Sequence, residues 1–211
     1  MKYGIIFDLD GTLWEVIEST YKSVNEVARK YKLAGISKDT ICACFGLNKE
    51  ETAKRYFPYL NNEYRLKLLD EIALINIKNL RSNGGNLYSG VELGLKELHN
   101  TYNLYIVSNT GHTDYIEAFL DTHNVRKYFS DYIAAGSINL SKCEAIKMII
   151  QKNKIDKAIY VGDTTIDLES SNLSGIPFVW AKYGFGTNID AYYTINSFSE
   201  ISDVVKKMLN H

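Results

Sequence analysis

Residues 4–14 read GIIFDLDGTLW, an apolar run that ends in two acids, Asp8 and Asp10. Side chains two residues apart in an extended chain point the same way, so both carboxylates can face one site. A buried carboxylate is costly unless a positive group lies beside it. The stretch therefore predicts a buried strand that brings two acids to a positive partner. Gly11 then allows a sharp bend, and Thr12 adds a hydroxyl group.

After residue 87, short apolar runs alternate with longer amphipathic segments. Strands are predicted at NLYIV, DYIAA, KAIYVG and PFVWA, with a further short strand at residues 192–195. Helices are predicted near residues 91–99, 114–123, 142–152 and 167–173, with a closing helix from about Ser199. Residues 4–9 would add another strand to the same sheet. This alternation is typical of an α/β fold with a doubly wound parallel sheet that has helices on both faces.

Residues 15–83 show a different pattern, because apolar positions recur there at helical spacing and no comparable strand appears. These positions include Ile17, Tyr21, Val24, Val27, Leu66, Leu69 and Ile72. Two glycines, Gly84 and Gly85, follow the segment and make a natural hinge. We predict a core formed by residues 1–14 and 84–211, with a helical-bundle cap domain inserted at residues 15–83.

The overall composition gives no sign of a highly charged partner. The chain has 24 Lys and Arg residues against 25 Asp and Glu residues, and this balance offers no electrostatic basis for binding nucleic acid or an anionic membrane. Cys42, Cys44 and Cys143 are odd in number and lack the spacing of a zinc site, so we interpret them as reduced. No apolar run is long enough for a membrane-spanning helix or a signal-peptide core. We therefore expect a soluble, cytoplasmic protein.

Polar residues collect where the predicted strands end. Ser108 and Asn109 follow NLYIV, and further acids follow AIYVG. In open α/β sheets, ligands bind beyond the carboxyl ends of the strands. The carboxylates expected at this edge are Asp8, Asp10, Asp163 and Asp167. They would repel one another unless a cation lay between them, and oxygen ligands without histidine or cysteine favour Mg²⁺.

A second positive charge is expected from Lys142. Ser141 and Glu144 match the capping-box pattern, with Ser141 as the N-cap and Glu144 at the third helical position. Lys142 would then lie in the first turn of a helix near the same edge of the sheet, where free backbone N–H groups can also face an anion. A solvated surface lysine is the alternative interpretation.

Taken in order, these motifs resemble the four motifs of the haloacid dehalogenase superfamily. The motifs are Asp8-Leu-Asp10-Gly-Thr12, Ser108-Asn109, Lys142 and Gly162-Asp163-Thr-Thr-Ile-Asp167. A helical cap after the first motif is similar to the group that includes phosphoglycolate phosphatases and β-phosphoglucomutases. Four motifs in order are far more specific than a single DxD, and the resemblance covers nearly the whole chain. One departure is Cys143, because close relatives often have proline after the lysine.

The resemblance implies a Mg²⁺-dependent phosphatase that works through an aspartyl phosphate. Asp8 would be the nucleophile, and Asp10 would protonate the leaving oxygen and later deprotonate the attacking water. Lys142 and Mg²⁺ would neutralise the phosphoryl group. The substrate-binding residues would be Gly11, Thr12, Ser108 and Asn109. The metal ligands would be Asp8, Asp10 through its backbone carbonyl, Asp163, and Asp167 either directly or through a water.

Several alternatives stay open within this resemblance. Asp10 argues against a dehalogenase, since a leaving halide needs no proton. A mutase of the β-phosphoglucomutase type shares the same residues, and a pyrophosphatase or nucleotidase is also compatible with them. A phosphonate-cleaving enzyme would need a desolvated cap lysine, and no lysine is marked as such. A non-catalytic phosphate-binding module belongs to a different class, but receiver domains are shorter and lack a cap.

The cap is expected to select the substrate, a small phosphomonoester such as phosphoglycolate or a sugar phosphate. The loop CFGLNK at residues 44–49 resembles the cap loop that reaches the active site in these relatives. Lys49, Arg55 or Trp14 could contact the leaving group, although each is also compatible with a surface or hinge position. His112, just after the second motif, could contact the substrate, but a surface position at a helix start is the preferred interpretation.

Overall fold

A six-stranded parallel sheet forms the centre of the structure, a computed structural model that describes residues 1–209 apart from the side chain of Asn83. The strands of the sheet are β1 (Tyr3–Phe7), β4 (Asn103–Ser108), β5 (Phe129–Ala134), β6 (Lys157–Gly162), β7 (Phe178–Ala181) and β8 (Tyr193–Ile195). Two short strands, β2 (Trp14–Glu15) and β3 (Asn86–Leu87), lie outside it. The sheet order is β5-β4-β1-β6-β7-β8, with all neighbours parallel. The predicted doubly wound α/β fold is confirmed.

Helices cover the sheet and form the inserted segment. They are α1 (Ile17–Lys30), α2 (Lys38–Cys42), α3 (Lys49–Tyr56), α4 (Asn62–Asn83), α5 (Val91–His99), α6 (Thr113–Thr122), α7 (Lys142–Asn153), α8 (Thr165–Leu173) and α9 (Ile201–Leu209). The observed first residues of two helices differ from the predicted ones. Helix α8 begins two residues early because the Thr164 hydroxyl caps it, and a 3₁₀ turn at Phe198–Glu200 precedes α9. Within residues 1–209, no helix combines the length and apolar character that crossing a membrane requires.

The sheet is buried on both faces, which explains why its strands are continuous apolar runs. Ile5 and Phe7 of β1 belong to the hydrophobic cluster under α5, α6 and α9. Ile6 points to the opposite face and packs with Ile146 and Ile149 of α7. Because β1 lies between β4 and β6 in the middle of the sheet, its carboxyl end is surrounded by other elements. A side chain placed there is removed from bulk water.

The helices α1 to α4 contain a separate hydrophobic cluster. Its fully buried members include Val24 and Val27 of α1, Ile41 of α2, and Phe57, which follows α3. This separate core supports the predicted cap, while the exact domain boundaries after residues 14 and 83 stay a prediction.

A two-stranded antiparallel ribbon joins the inserted helices to the sheet. Trp14 pairs with Leu87 and Glu15 pairs with Asn86, so the ribbon spans both connections. This ribbon is not predicted from the sequence, because two-residue strands are too short to show an alternating pattern. The second glycine packs tightly here, since a Cβ atom on Gly85 would lie 2.9 Å from the Glu15 carbonyl oxygen. The ribbon fixes where the chain leaves and re-enters the core.

The N-terminus of α7 forms the predicted capping box. The Ser141 hydroxyl accepts a hydrogen bond from the Glu144 N–H at 3.3 Å, and the Glu144 carboxylate accepts one from the Ser141 N–H at 2.8 Å. These bonds satisfy backbone groups that an uncapped helix would leave unpaired. They also fix the first turn, in which Lys142 is the first residue.

Removing this cap should lower the stability of the protein. Ser141→Ala is expected to reduce the free energy of unfolding by about 1 kcal/mol, because the Glu144 N–H loses its partner. Ser141→Thr keeps a capping hydroxyl and should stay close to the wild type. Urea unfolding of the three proteins, followed by circular dichroism, checks this. Equal midpoints for wild type and Ser141→Ala would show that the cap contributes nothing.

Candidate active site

The predicted site residues meet where three neighbouring strands end. Asp8 follows β1, Ser108 ends β4, and Asp163 follows β6. The Asp8 N–H donates to the Val161 carbonyl at 2.8 Å, which extends the pairing of β1 with β6 and fixes the Asp8 backbone. A cavity lies at this point between the core and the cap. Among its lining residues are Asp8, Asp10, Ser108, Asn109 and Lys142.

Lys142 lies between two carboxylates. Its Nζ is 2.8 Å from Asp8 Oδ1 and 2.6 Å from Asp167 Oδ1, and its side chain is 2% exposed. Burial alone would lower the pKa of this ammonium, but Asp167 and Asp8 together raise the pKa above its usual range. Lys142 therefore stays positively charged. The structure excludes the surface-lysine interpretation, because the side chain is buried.

Asp167 uses both of its carboxylate oxygens within the protein. Oδ1 accepts from Lys142, while Oδ2 accepts from the Asp163 N–H at 3.1 Å, the Thr164 N–H at 2.9 Å and the Thr164 hydroxyl at 2.7 Å. This position follows from the early start of α8, which makes Asp167 the acid of a capping box. Asp167 thus orients Lys142 and the chain at Asp163.

Negative charge exceeds positive charge at this point. Asp8, Asp163 and Asp167 are buried and present oxygens that lie within 4.8 Å of one another. Burial raises the pKa of Asp8 to about 7, although the Lys142 ammonium acts in the opposite direction. Burial also raises the pKa of Asp163 well above its usual value, with the Asp167 and Asp8 charges adding to the effect. This donor set fits a hard divalent cation, whose charge would offset the excess.

Two chain segments enclose Asp163 closely. Its Oδ2 accepts from the Phe185 N–H at 2.7 Å, and its Oδ1 accepts from the Thr12 hydroxyl at 3.3 Å. A Cβ atom on Gly11, whose φ is +82°, would lie 2.3 Å from Asp163 Oδ2, and one on Gly184 would lie 2.4 Å from Asp163 Cβ. A polar loop after β7 is predicted from the sequence, but its contact with Asp163 is not, although the pattern YGFG signals a close backbone approach.

Asp10 is held by two aromatic residues. The Trp14 Nε1–H donates to Asp10 Oδ1 at 2.7 Å, and the Tyr115 hydroxyl donates to the same oxygen at 2.9 Å. Burial raises the pKa of Asp10 to about 6, while these two hydrogen bonds and Lys142 act in the opposite direction. Asp10 can therefore change its protonation state near neutral pH. Sequence reasoning missed Tyr115, because only the packing of α6 brings it to Asp10.

The predicted substrate-binding residues separate into two pairs. Ser108 and Asn109 line the cavity. The Asn109 side-chain amide donates to the Gly46 carbonyl of the cap loop at 2.8 Å. Gly11 and Thr12 lie outside the cavity lining, and their backbone N–H groups donate to the Trp14 and Leu9 carbonyls. Their roles toward a substrate stay predictions.

The cap loop predicted to reach the site does so. Phe45 stacks on Phe185 of the core with ring centroids 4.3 Å apart, and Lys49 lines the cavity. Arg55 lies in a separate groove and donates to the Ala43 carbonyl at 3.3 Å. His112 also lines the cavity, beside Asp70 of α4, whose position the sequence analysis did not single out.

Comparison with known proteins gives consistent matches. A model of the haloacid dehalogenase-like hydrolase family matches residues 5–181. A phosphoglycolate phosphatase of Rhodobacter capsulatus is 25% identical, covering 96% of this chain and 94% of the relative. The crystal structure of a predicted phosphoglycolate phosphatase of Haemophilus somnus superimposes with a TM-score of 0.84 at 20% identity, covering 95% and 96% of the two chains. CbbY of Rhodobacter sphaeroides, in complex with phosphate, gives 0.79 at 17% identity, covering 95% and 96%.

The crowded carboxylates lead to a prediction about stability. The pKa of Asp163 is higher in the folded protein than in the unfolded chain, where it is near 3.8, so protonated Asp163 stabilises the folded state. This stabilisation is fully present below the unfolded pKa and is lost as the pH rises through the folded pKa. In EDTA at about pH 8, Asp163→Asn is therefore expected to raise the melting temperature by roughly 2–8 °C. This increase in melting temperature should become smaller as the pH is lowered toward about 4.

Added Mg²⁺ separates this effect from general stabilisation. Mg²⁺ should raise the melting temperature of the wild type by binding only the folded state, and should have little effect on Asp163→Asn. Asp190→Asn, a change at an exposed acid in the same half of the chain, is the control and should behave as the wild type. A lower melting temperature for Asp163→Asn in EDTA would contradict the proposed charge crowding.

Proposed function

The chain belongs to the haloacid dehalogenase-like hydrolase family, and from this we propose that it is a Mg²⁺-dependent phosphatase acting on a small phosphomonoester through an aspartyl-phosphate intermediate. The observation that carries the proposal is the different setting of two neighbouring carboxylates. Asp8 is paired with the Lys142 ammonium, which favours its charged form, whereas both hydrogen bonds to Asp10 come from neutral donors. Such a pair suits a nucleophile beside a general acid and base.

The donor set of the site fits Mg²⁺. Asp8, Asp163 and the backbone carbonyl of Asp10 would hold the ion, as in the family pattern. Asp167 would act through a water, because both of its oxygens already accept hydrogen bonds from the protein. Bound Mg²⁺ would neutralise charge on the phosphoryl oxygens and on the surrounding carboxylates.

The first half of the reaction would transfer the phosphoryl group to Asp8. Its carboxylate attacks phosphorus, and the bond from phosphorus to the ester oxygen breaks. Asp10, in its protonated form, gives its proton to that leaving oxygen. Lys142 and the Ser108 hydroxyl lie on the cavity wall, where they can hold the phosphoryl oxygens during transfer.

The second half would release the phosphate. Asp10, now a carboxylate, takes a proton from water as the water oxygen attacks the phosphorus of the aspartyl phosphate. The bond from phosphorus to Asp8 breaks, inorganic phosphate leaves, and both acids return to their starting states. The hydrogen bonds from Trp14 and Tyr115 keep Asp10 in one position for both proton transfers.

A mutase of the β-phosphoglucomutase type is the second candidate. It is favoured by the contacts of the cap loop with the core, the Phe45–Phe185 stack and the hydrogen bond from Asn109 to Gly46, because a mutase needs its cap closed over the core during transfer. A mutase would pass the phosphoryl group from Asp8 back to a substrate hydroxyl instead of to water. The phosphatase is preferred because phosphatases recur among the matched relatives.

Loss of the nucleophile should abolish turnover. Phosphate release is to be measured from a panel of phosphomonoesters, a nucleotide and pyrophosphate, with and without Mg²⁺. Asp8→Asn is expected to lower Mg²⁺-dependent release by roughly 10³-fold or more, because an amide cannot form the acyl phosphate. The exposed Asp203→Asn is the control. Undiminished release by Asp8→Asn would overturn the nucleophile assignment, and turnover without net phosphate release would favour the mutase.

The environment of Asp10 should set the pH dependence. Tyr115→Phe removes a hydrogen bond that lowers the pKa of Asp10, so the pKa should rise above about 6. Since the acid form donates the proton, kcat/KM should fall as the pH rises through this pKa, and the fall should move up by about one pH unit in the variant.

This comparison uses one ester for all proteins, so that ionisation of the substrate affects each profile equally. The highly exposed Tyr192→Phe is the matched control and should give the wild-type profile. A Tyr115→Phe profile that is unchanged or moved to lower pH would contradict the role of this hydroxyl.

A further inference from the structure

The charged side chains of the substrate cavity lie in two groups. At the floor are Asp8, Asp10 and Lys142, which the proposed chemistry uses. At the cap side are Lys49 and Asp70, together with the imidazole of His112. The leaving group of a bound phosphate ester would lie between these two groups, so the cap-side charges decide which leaving groups fit.

Asp70 forms an ion pair with the cap lysine, and both side chains are partly exposed. Lys49 Nζ is 2.5 Å from Asp70 Oδ1, and the same oxygen lies 3.8 Å from His112 Nε2. Lys49 begins α3 and Asp70 lies on α4, so the pair depends on the packing of these two helices. The other lining lysine, Lys142, already contacts two carboxylates. Among the described residues that line the cavity, no lysine or arginine is left without a carboxylate partner.

The remaining cap wall offers neutral hydrogen-bonding groups. Tyr56 lines the cavity, is only 4% exposed, and has a hydroxyl that makes no hydrogen bond within residues 1–209. Thr20 also lines the cavity, and its hydroxyl accepts from the Asn76 amide at 3.3 Å, which leaves its own hydrogen free to donate. Both hydroxyl groups are therefore available to a ligand that enters the cavity.

The cavity is also small. Its volume is about 180 Å³, below the range of about 300–1,000 Å³ that is usual for sites of drug-sized ligands. Leu69 and Ala73 of α4 add apolar surface between the polar groups. A compact leaving group with hydroxyls on a carbon skeleton matches both the size and the mixed lining.

We propose that the substrate is the phosphate ester of a small, uncharged polyhydroxy alcohol, and that Asp70 determines this choice by holding Lys49 in an ion pair. A carboxylate on the leaving group would find no unpaired cation on the cap and would face Asp70 and Asp10 instead. This inference rests on the proposed phosphatase function and narrows its substrate class. It separates this chain from its curated relatives described as phosphoglycolate phosphatases, whose substrate carries a carboxylate.

A matched pair of substrates tests the proposal. Glycerol 3-phosphate and 3-phosphoglycerate of the same configuration differ in one group, a hydroxymethyl in the first and a carboxylate in the second. For the wild type with Mg²⁺, kcat/KM should be at least about tenfold higher for glycerol 3-phosphate. In Asp70→Asn, which releases the Lys49 ammonium, this ratio should fall by about tenfold. A tenfold change corresponds to about 1.4 kcal/mol in the transition-state free energy.

Two further variants identify the origin of the change. Asp70→Glu keeps the carboxylate and should keep a ratio within about twofold of the wild type. Lys49→Met combined with Asp70→Asn removes the released cation and should return the ratio toward the wild-type value.

The outcomes separate this inference from the proposed function. A wild-type preference for 3-phosphoglycerate, or an unchanged ratio in Asp70→Asn, would overturn the inference while phosphate release upheld the phosphatase. No phosphate release from either ester or from p-nitrophenyl phosphate would overturn the proposed function, and the inference with it. If p-nitrophenyl phosphate alone is hydrolysed, competitive inhibition constants of the two compounds replace kcat/KM, and the wild-type constant should be at least about tenfold lower for glycerol 3-phosphate.

Discussion

The ion contact of Lys142 with Asp8 and Asp167 is the constraint on which the rest of the site depends. A buried ammonium is stable only when its charge is compensated, and here the compensation comes from two different elements, the end of β1 and the first turn of α8. The capping box at Ser141 fixes the turn that carries the lysine. The Lys142 ammonium therefore holds together the end of β1, the first turn of α7 and the first turn of α8.

The crowding of negative charge at the strand ends destabilises the folded state, but it places together the groups that the proposed chemistry needs. Asp8, Asp163 and Asp167 lie within a few ångströms of one another under a buried surface, and burial raises the pKa of both Asp8 and Asp163. Without a bound cation, the folded protein would become more stable if one of these acids were replaced with a neutral residue. Functional sites commonly carry this kind of local instability, which the binding of a cation or substrate relieves.

Much of this architecture was predictable from local patterns. The apolar run at residues 4–7, the acids that follow it and the capping box at Ser141 are properties of short sequence segments, and physical rules link them to a strand end and a helix start. The bond of Trp14 to Asp10 depends on how the chain turns after Asp10, and the bond of Tyr115 to Asp10 and the pairing of Lys49 with Asp70 depend on how helices pack. No periodicity or spacing encodes such contacts, so they emerge only in three dimensions.

The hydrogen bonds of the tryptophans have a spectroscopic consequence. The sequence contains two tryptophans, and the indole N–H of each is bonded to a residue of the site. Trp14 donates to the Asp10 carboxylate, and Trp180 donates to the Asp163 backbone carbonyl at 3.2 Å. Trp14 also lies in the ribbon between cap and core. The tryptophan fluorescence of this chain therefore arises from two indoles in contact with the site, so the protein contains its own optical reporters of that region.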